Sequence, residues 1–256
     1  SVMTDPVLVR MEARPSGRVA FVTVNNPARL NAMGSVLMER LSEVVRGLGE
    51  DPDLRALVLT GAGDRAFIGG ADIREMAAFS SPADARAFIT RVHACCEALR
   101  DLPAPTLARI NGFTFGAGLE VAAACDHRIC SRQAVFGMPE VRLGVPSVVE
   151  AALLPQLIGW GRTRELLLFG ETVSAAEALD WGLVEQVVEA EDLDAAIEAR
   201  LGQLAQCMPG AVRLQKDLIR KWEDLSLRAA IDAGIDAFEA AARGGEPARA
   251  MTDFLG

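Results

Sequence analysis

The chain has 256 residues, half of them hydrophobic, and a formal net charge of -9. That size suits one large core, or a core with a small appended region, and the acidic balance without any Lys/Arg-rich block weighs against a nucleic-acid surface. No apolar run reaches the roughly 18 to 20 residues that cross a bilayer, and the start, S-V-M-T-D-P, lacks a basic segment followed by an apolar one; a soluble, cytoplasmic protein with no membrane partner is expected.

Val7 to Arg10 and Arg18 to Val24 read as two strands joined by the turn Arg14-Pro15-Ser16-Gly17, a hairpin. In Gly34 to Leu48, Val36, Leu37, Leu41, Val44, Val45 and Leu48 recur at a helical period, which predicts an amphipathic helix on a sheet. The strand Ala56 to Thr60 runs into G-A-G-D-R-A-F-I-G-G-A-D-I-R-E-M. Gly61 to Ala66 matches a G-x-G-x-x-A dinucleotide fingerprint, but Phe67, Ile68 and two further glycines intervene where a long helix must start, which weighs against a nucleotide site. Ser81 to Arg100 is a helix striped by Phe88, Val92, Cys95 and Leu99, with His93 beside the stripe as a structural or surface histidine.

The centre of the chain is the segment from Asn111 to Glu140, N-G-F-T-F-G-A-G-L-E-V-A-A-A-C-D-H-R-I-C-S-R-Q-A-V-F-G-M-P-E. The strand Thr106 to Ile110, the turn Gly116-Ala117-Gly118 and an Ala-rich helical run place free amides, and the positive end of a helix, around Ala117. Glu120 sits among Leu119, Val121 and Ala122, where a carboxylate must find partners or keep its proton. Glu140 follows a second β-like run, Ala134 to Gly137, and Pro139. Upstream, Gly69 and Gly70 offer a second amide, that of Ala71. Two such amides gripping one oxygen outline an oxyanion hole, and two carboxylates beside it suit acid/base work. The alternative is that Glu120 and Glu140 are ion-pair members, with Arg128 or Arg142.

Further on, Ser147 and Glu150 have capping-box spacing ahead of a helix from Val148 to Leu157; Glu150 as a third active-site carboxylate is the other reading. Ser174 to Glu177 is another capping box, opening a helix that Gly182 ends. Val184 to Val188 is a strand; Leu193, Ile197, Leu201 and Leu204 stripe a helix, and Pro209 to Gly244 reads as helix almost throughout. The five cysteines, Cys95, Cys96, Cys125, Cys130 and Cys207, show no C-x-x-C pair and read as reduced thiols. With His93 and His127 the only histidines, no metal site is expected.

On these residues the sequence resembles the enoyl-CoA hydratase/isomerase (crotonase) superfamily. A-F-I-G-G-A-D-I resembles that family's first oxyanion motif, N-G-F-T-F-G-A-G-L-E-V-A-A-A-C-D its second, and F-G-M-P-E-V-R-L-G the segment with its second acid; the likeness runs from about Asn26 to about Glu246. It implies an α/β fold: a crotonase-like ββα spiral core, residues 1–195, and a C-terminal helical trimerisation region, residues 196–256. It implies enoyl-CoA hydration in fatty-acid β-oxidation, with the Ala71 and Ala117 amides on the thioester oxygen, Glu120 as base and Glu140 as acid. Arg29, Ala71, Asp72, Ile73, Arg74 and Ala117 would touch the acyl-CoA, Asp72 equally suiting a helix cap. Coenzyme A is part of the substrate, so no cofactor is implied; the expected partners are the acyl-CoA and further copies of the chain, as a homotrimer or hexamer. Enoyl-CoA isomerisation or other acyl-CoA chemistry is the alternative, and a non-catalytic scaffold the alternative of another class. The sequence departs from the family after Pro146, where glycines are more usual, and its tail lacks a basic ending. Phe238 is read as a pocket residue or an ordinary core phenylalanine.

Overall fold

The computed structural model describes residues 4–256. Strands β1 (Val7–Arg14) and β2 (Gly17–Val24) form the expected hairpin, and α1 (Ser35–Leu48) buries Leu37, Met38, Leu41, Val44 and Val45. β3 (Leu54–Gly61) is apolar on both faces, as a strand covered on both sides must be. The short β4 (Ala66–Ile68) follows, then α2 (Ile73–Ala77) and the long α3 (Pro82–Asp101), whose N-cap Ser81 accepts from Asp84 N. β5 (Thr106–Ile110) leads to β6 (Phe113–Phe115) and α4 (Ala117–Ala124); β7 (His127–Ser131) leads to β8 (Val135–Gly137).

Two sheets result. One has six strands in the order β1-β2-β3-β5-β7, ending on β10 (Gln186–Val188), and is parallel from β2 onward. The other has four, β4-β6-β8 and then β9 (Thr172–Ser174). Each of β3, β5 and β7 in the large sheet is thus followed by one strand of the small sheet, and β3–β4 and β5–β6 then run on into helix. This is the repeated ββα unit of the spiral core that the sequence implied.

The period of two in the strands sorts the core. Ala20, Val22, Leu57 and Leu59 face a cluster with α1, α3 and α4, whereas Val19, Ala56, Val58 and Ile129 face α7 (Leu193–Ala205). Leu193, Ile197 and Leu201 of α7 are buried there, each contributing about 1.5–3 kcal/mol. Further along the chain come α5 (Leu154–Phe169), non-helical at Gly159, and, after β9, α6 (Ala175–Trp181), which keeps the predicted capping box and its Gly182 stop.

The C-terminal segment differs from expectation in two places. The single helix from Pro209 is two, α8 (Pro209–Trp222) and α9 (Leu227–Ala242), because Ser226 accepts from Ala229 N and starts a new helix; α10 (Glu246–Leu255) follows. Helix α8 is anchored mainly by polar contacts, Lys216 donating to the carbonyls of Leu99 and Ala104 and Arg213 to that of Leu54. Neither α9 nor α10 has a buried residue. Leu227, Ile231, Ile235 and Phe238 instead form an exposed apolar row, so Phe238 is not a core residue of the single chain. The predicted strand at Val184 begins only at Gln186, because the Leu183 and Val184 amides both bond to Ala178 O at the end of α6. No helix among the described residues is long and apolar enough to cross a membrane.

Candidate active site

The first amide is exposed by a single bridge. Met33 pairs with Ala71 in parallel: Met33 N donates to Gly70 O and Asp72 N to Met33 O, both at 2.8 Å. That pattern uses the groups on either side of Ala71 and turns its own N–H the other way. The second follows from Gly116, whose φ of 55° and ψ of −120° is a conformation for glycine. Gly116 N donates to Gly137 O at 2.9 Å, and Gly116 O accepts from Leu119 N and Glu120 N. Ala117 is the first residue of α4, so its N–H lacks an intrahelical partner. Among the described residues neither the Ala71 nor the Ala117 amide donates a backbone hydrogen bond.

Close backbone packing brings the two turns together. β4 pairs with β6, a Cβ on Gly118 would stand 2.0 Å from Ile68 O, and one on Gly70 would lie 3.5 Å from Phe115 O. Two buried asparagines hold the approach to the first turn. Asn111 Nδ2 donates to the carbonyls of Gly61 and Gly63, and Asn31 Nδ2 to those of Ala62 and Ala66. Gly61 to Ala66 therefore runs into β4 and not into the long helix a dinucleotide fingerprint needs.

Both turns line a cavity of about 670 Å³ that also contains Glu120 and Glu140. Glu120 is 3% exposed, and its Oε1 has no hydrogen-bond partner. Burial, then the charges of Glu140 and Glu150, push its pKa well above the ordinary carboxylate value. Glu140 is half-buried, and its Oε2 accepts the Ser147 hydroxyl at 2.9 Å. Burial raises its pKa too, while its own backbone N–H and Ser147 pull the other way. Its Oε1 would be 2.7 Å from a Cβ at position 116, so the carboxylate lies directly against the turn that presents Ala117.

The ion-pair alternative is overturned: Arg128 pairs with Glu185 and Arg142 with Glu171. Ile73 also lines the cavity, whereas Arg29, Asp72 and Arg74 do not. Asp72 caps α2, accepting from Arg74 N and Glu75 N, and Arg29 Nη1 stands 3.9 Å from Asp72 Oδ2.

The Ser147–Glu150 capping box is also a correction. No helix starts there; a 3-10 turn spans Val149–Leu153, Ser147 turns to Glu140, and buried Glu150 reaches His93, its Oε2 2.8 Å from Nδ1. Val149 has φ +46°, strained for a β-branched residue. His93 and Ser147 line the cavity, and Glu150, the alternative third carboxylate, pairs with His93 beside it; the capping-box spacing concealed Ser147, and nothing in the sequence singled out His93.

The enoyl-CoA hydratase/isomerase family profile matches residues 14–255. A short-chain-enoyl-CoA hydratase of Clostridium acetobutylicum is 34% identical, over 93% of this chain and 92% of its own length. A crotonyl-CoA hydratase of Syntrophomonas wolfei is 32% identical over 93% and 92%. The crystal structure of an enoyl-CoA hydratase from Bacillus anthracis matches with a TM-score of 0.90 at 30% identity, covering 96% of this chain and 95% of that one.

Proposed function

Because the chain belongs to the enoyl-CoA hydratase/isomerase family, we propose that it adds water across the double bond of a 2-enoyl-CoA to give a 3-hydroxyacyl-CoA. The observation that carries this reading is one cavity lined by two amides without backbone acceptors and by two carboxyl groups without arginine partners.

The thioester oxygen would accept from Ala71 N–H and Ala117 N–H. Negative charge grows on it as water adds to the β-carbon, and each donor already in place is worth roughly 3–4 kcal/mol. The water oxygen bonds to the β-carbon, one carboxylate takes the water's proton, the π electrons move to the thioester as an enolate, and the other carboxyl protonates the α-carbon. Each acid/base role contributes about 100-fold to 10,000-fold.

The pair needs one proton between its two members. The hydrogen bonding of the two carboxyl groups favours that proton on Glu120, whose Oε1 lacks a donor, while Glu140 accepts from Ser147. The roles implied by the family resemblance, Glu120 as base and Glu140 as acid, need it on Glu140 when water attacks. A water held by both carboxyl groups lets the proton cross. Two acids favour hydration over isomerisation, which needs only one, and over a scaffold role, which needs neither.

No cofactor enters this scheme; coenzyme A is carried by the substrate, and Arg29, Asp72, Ile73 and Arg74 flank its expected path. We place the reaction in fatty-acid β-oxidation, in the cytoplasm. The exposed row on α9 supports a homotrimer, or a hexamer built from two. The division near residue 195 into core and C-terminal helical region belongs to the same proposal, with α7 packed on the core. Incubation with crotonyl-CoA, followed by loss of absorbance of the conjugated thioester, tests the activity; no loss with enoyl-CoAs of several lengths overturns it.

A further inference from the structure

Beyond the reacting end, the cavity runs along α3. Its wall there is apolar except for one row, Arg86, Thr90 and His93, whose spacing of four and then three residues puts all three on one helix face. In a largely apolar pocket, a few placed polar groups decide which ligand fits.

Accounting for donors leaves one member of the row unengaged. His93 Nδ1 lies 2.8 Å from buried Glu150, and Nε2 3.4 Å from Glu97. Thr90 Oγ1 donates to Arg86 O at 2.7 Å. The nearest acid in sequence, Asp84, accepts from Ser80 N and Ser80 Oγ. Among the described residues the Arg86 guanidinium has neither a salt bridge nor a side-chain hydrogen bond.

We infer that the acyl group this site prefers ends in a carboxylate, which Arg86 holds while the double bond lies between Glu120 and Glu140. A guanidinium carries a permanent charge and a fork of donors that fits a carboxylate in two places. A terminal cation would be repelled, and a plain alkyl end would leave those donors to water. His93, tied through Glu150 to the surroundings of Glu120, marks the reacting end. Arg86 is seven residues earlier, roughly 10 Å along the helix axis, so the acid group sits several carbons beyond the double bond. This inference rests on the hydratase reading for its chemistry and on the cavity wall for its specificity.

The test compares alkyl 2-enoyl-CoAs of increasing length with ω-carboxy 2-enoyl-CoAs of matching length, on the wild type and on Arg86→Gln. Arg86 is exposed and outside the core, so the variant folds. The wild type is expected to favour the carboxylated series by about 10-fold or more in kcat/KM, the value of one charged hydrogen-bonded contact. Arg86→Gln removes that preference and leaves the alkyl series unchanged. An equal loss on both series would mean that Arg86 holds a phosphate of coenzyme A, and no loss on either that it faces solvent; each overturns the inference. Binding of a saturated ω-carboxyacyl-CoA, which cannot be hydrated, is read in parallel. Tighter binding to the wild type than to the variant, beside no turnover of any enoyl-CoA, defeats the hydratase reading but not the contact. Equal binding to both defeats the contact.

Discussion

Glu120→Gln is expected to make the protein more stable at neutral pH and almost inactive. The carboxyl is 3% exposed, one oxygen has no donor, and the charges of Glu140 and Glu150 bear on it. Its folded pKa therefore stands above the unfolded value, and the stability this group contributes is fully present below that unfolded value. It is lost as the pH rises toward the folded pKa, at about 1.4 kcal/mol per pH unit. Glutamine has nearly the shape of the protonated acid and does not titrate, so the variant lacks this slope. Thermal unfolding of the two proteins from acid to neutral pH should give similar midpoints where Glu120 is protonated in both folded and unfolded chains, then a gap that widens with pH. Each kcal/mol moves the midpoint by roughly 2–4 °C for a chain of this size. Hydration of crotonyl-CoA by the same samples should fall by about 100-fold to 10,000-fold. A variant that is less stable than the wild type at neutral pH, or a gap independent of pH, would show that Glu120 is held as an ionised structural partner and refute the reasoning.

Ser147→Ala removes a hydroxyl that pulls the Glu140 pKa down; the acidic limb of kcat/KM should move to higher pH, and an unmoved limb would separate Ser147 from Glu140. Gly116→Ala must both leave a glycine conformation and push against the Glu140 carboxylate at 2.7 Å; it is expected to lose roughly 1–3 kcal/mol of stability and about 100-fold in kcat/KM, with circular dichroism unchanged. Of the five cysteines, Cys207 alone is exposed, and burial raises the thiol pKa of Cys95 to about 11 and of Cys125 and Cys130 to about 12. A thiol reagent should therefore label Cys207 rapidly in the native protein and the others only after denaturation.

The parts of the fold legible in the sequence are those with a strong period or a local chemical signal. The hairpin, α1, α3, β5 and the Ser174 capping box all come from residues that decide their own structure. The short strands β4 and β6 were not legible as strands, because three residues give no period and their partners are distant in sequence. The break between α8 and α9 is not legible because Ser226 lies inside an otherwise helical composition. In the site, glycines announced both amides, and apolar surroundings announced Glu120. Ser147 and Glu150 misled, since the spacing of a capping box also fits two side chains that turn to different partners. Asn111 and Asn31 carried no signal of their own, because their acceptors are backbone carbonyls in a loop that only the fold brings to them.

The dependence of the site on contact between backbones follows from these distances. A Cβ on Gly112 would stand 2.1 Å from Arg65 O, one on Gly61 2.2 Å from Ala66 O, and one on Gly118 2.0 Å from Ile68 O. The Gly112 and Gly118 contacts join the β4 side to the β6 and α4 side, so a methyl group at either must move one turn relative to the other, whereas the Gly61 contact lies between β3 and β4 and sets how the chain enters the first turn. Hydrogen bonds to a developing oxyanion weaken steeply once the donor leaves the range of about 2.7–3.1 Å, and a shift of about 1 Å can cost 100-fold. The glycines therefore set the spacing between the Ala71 and Ala117 amides, while the acids only need to reach the space between them. On this geometry, substitution at Gly118 removes activity even with Glu120 and Glu140 intact, because the oxygen they would act beside is no longer held from both sides.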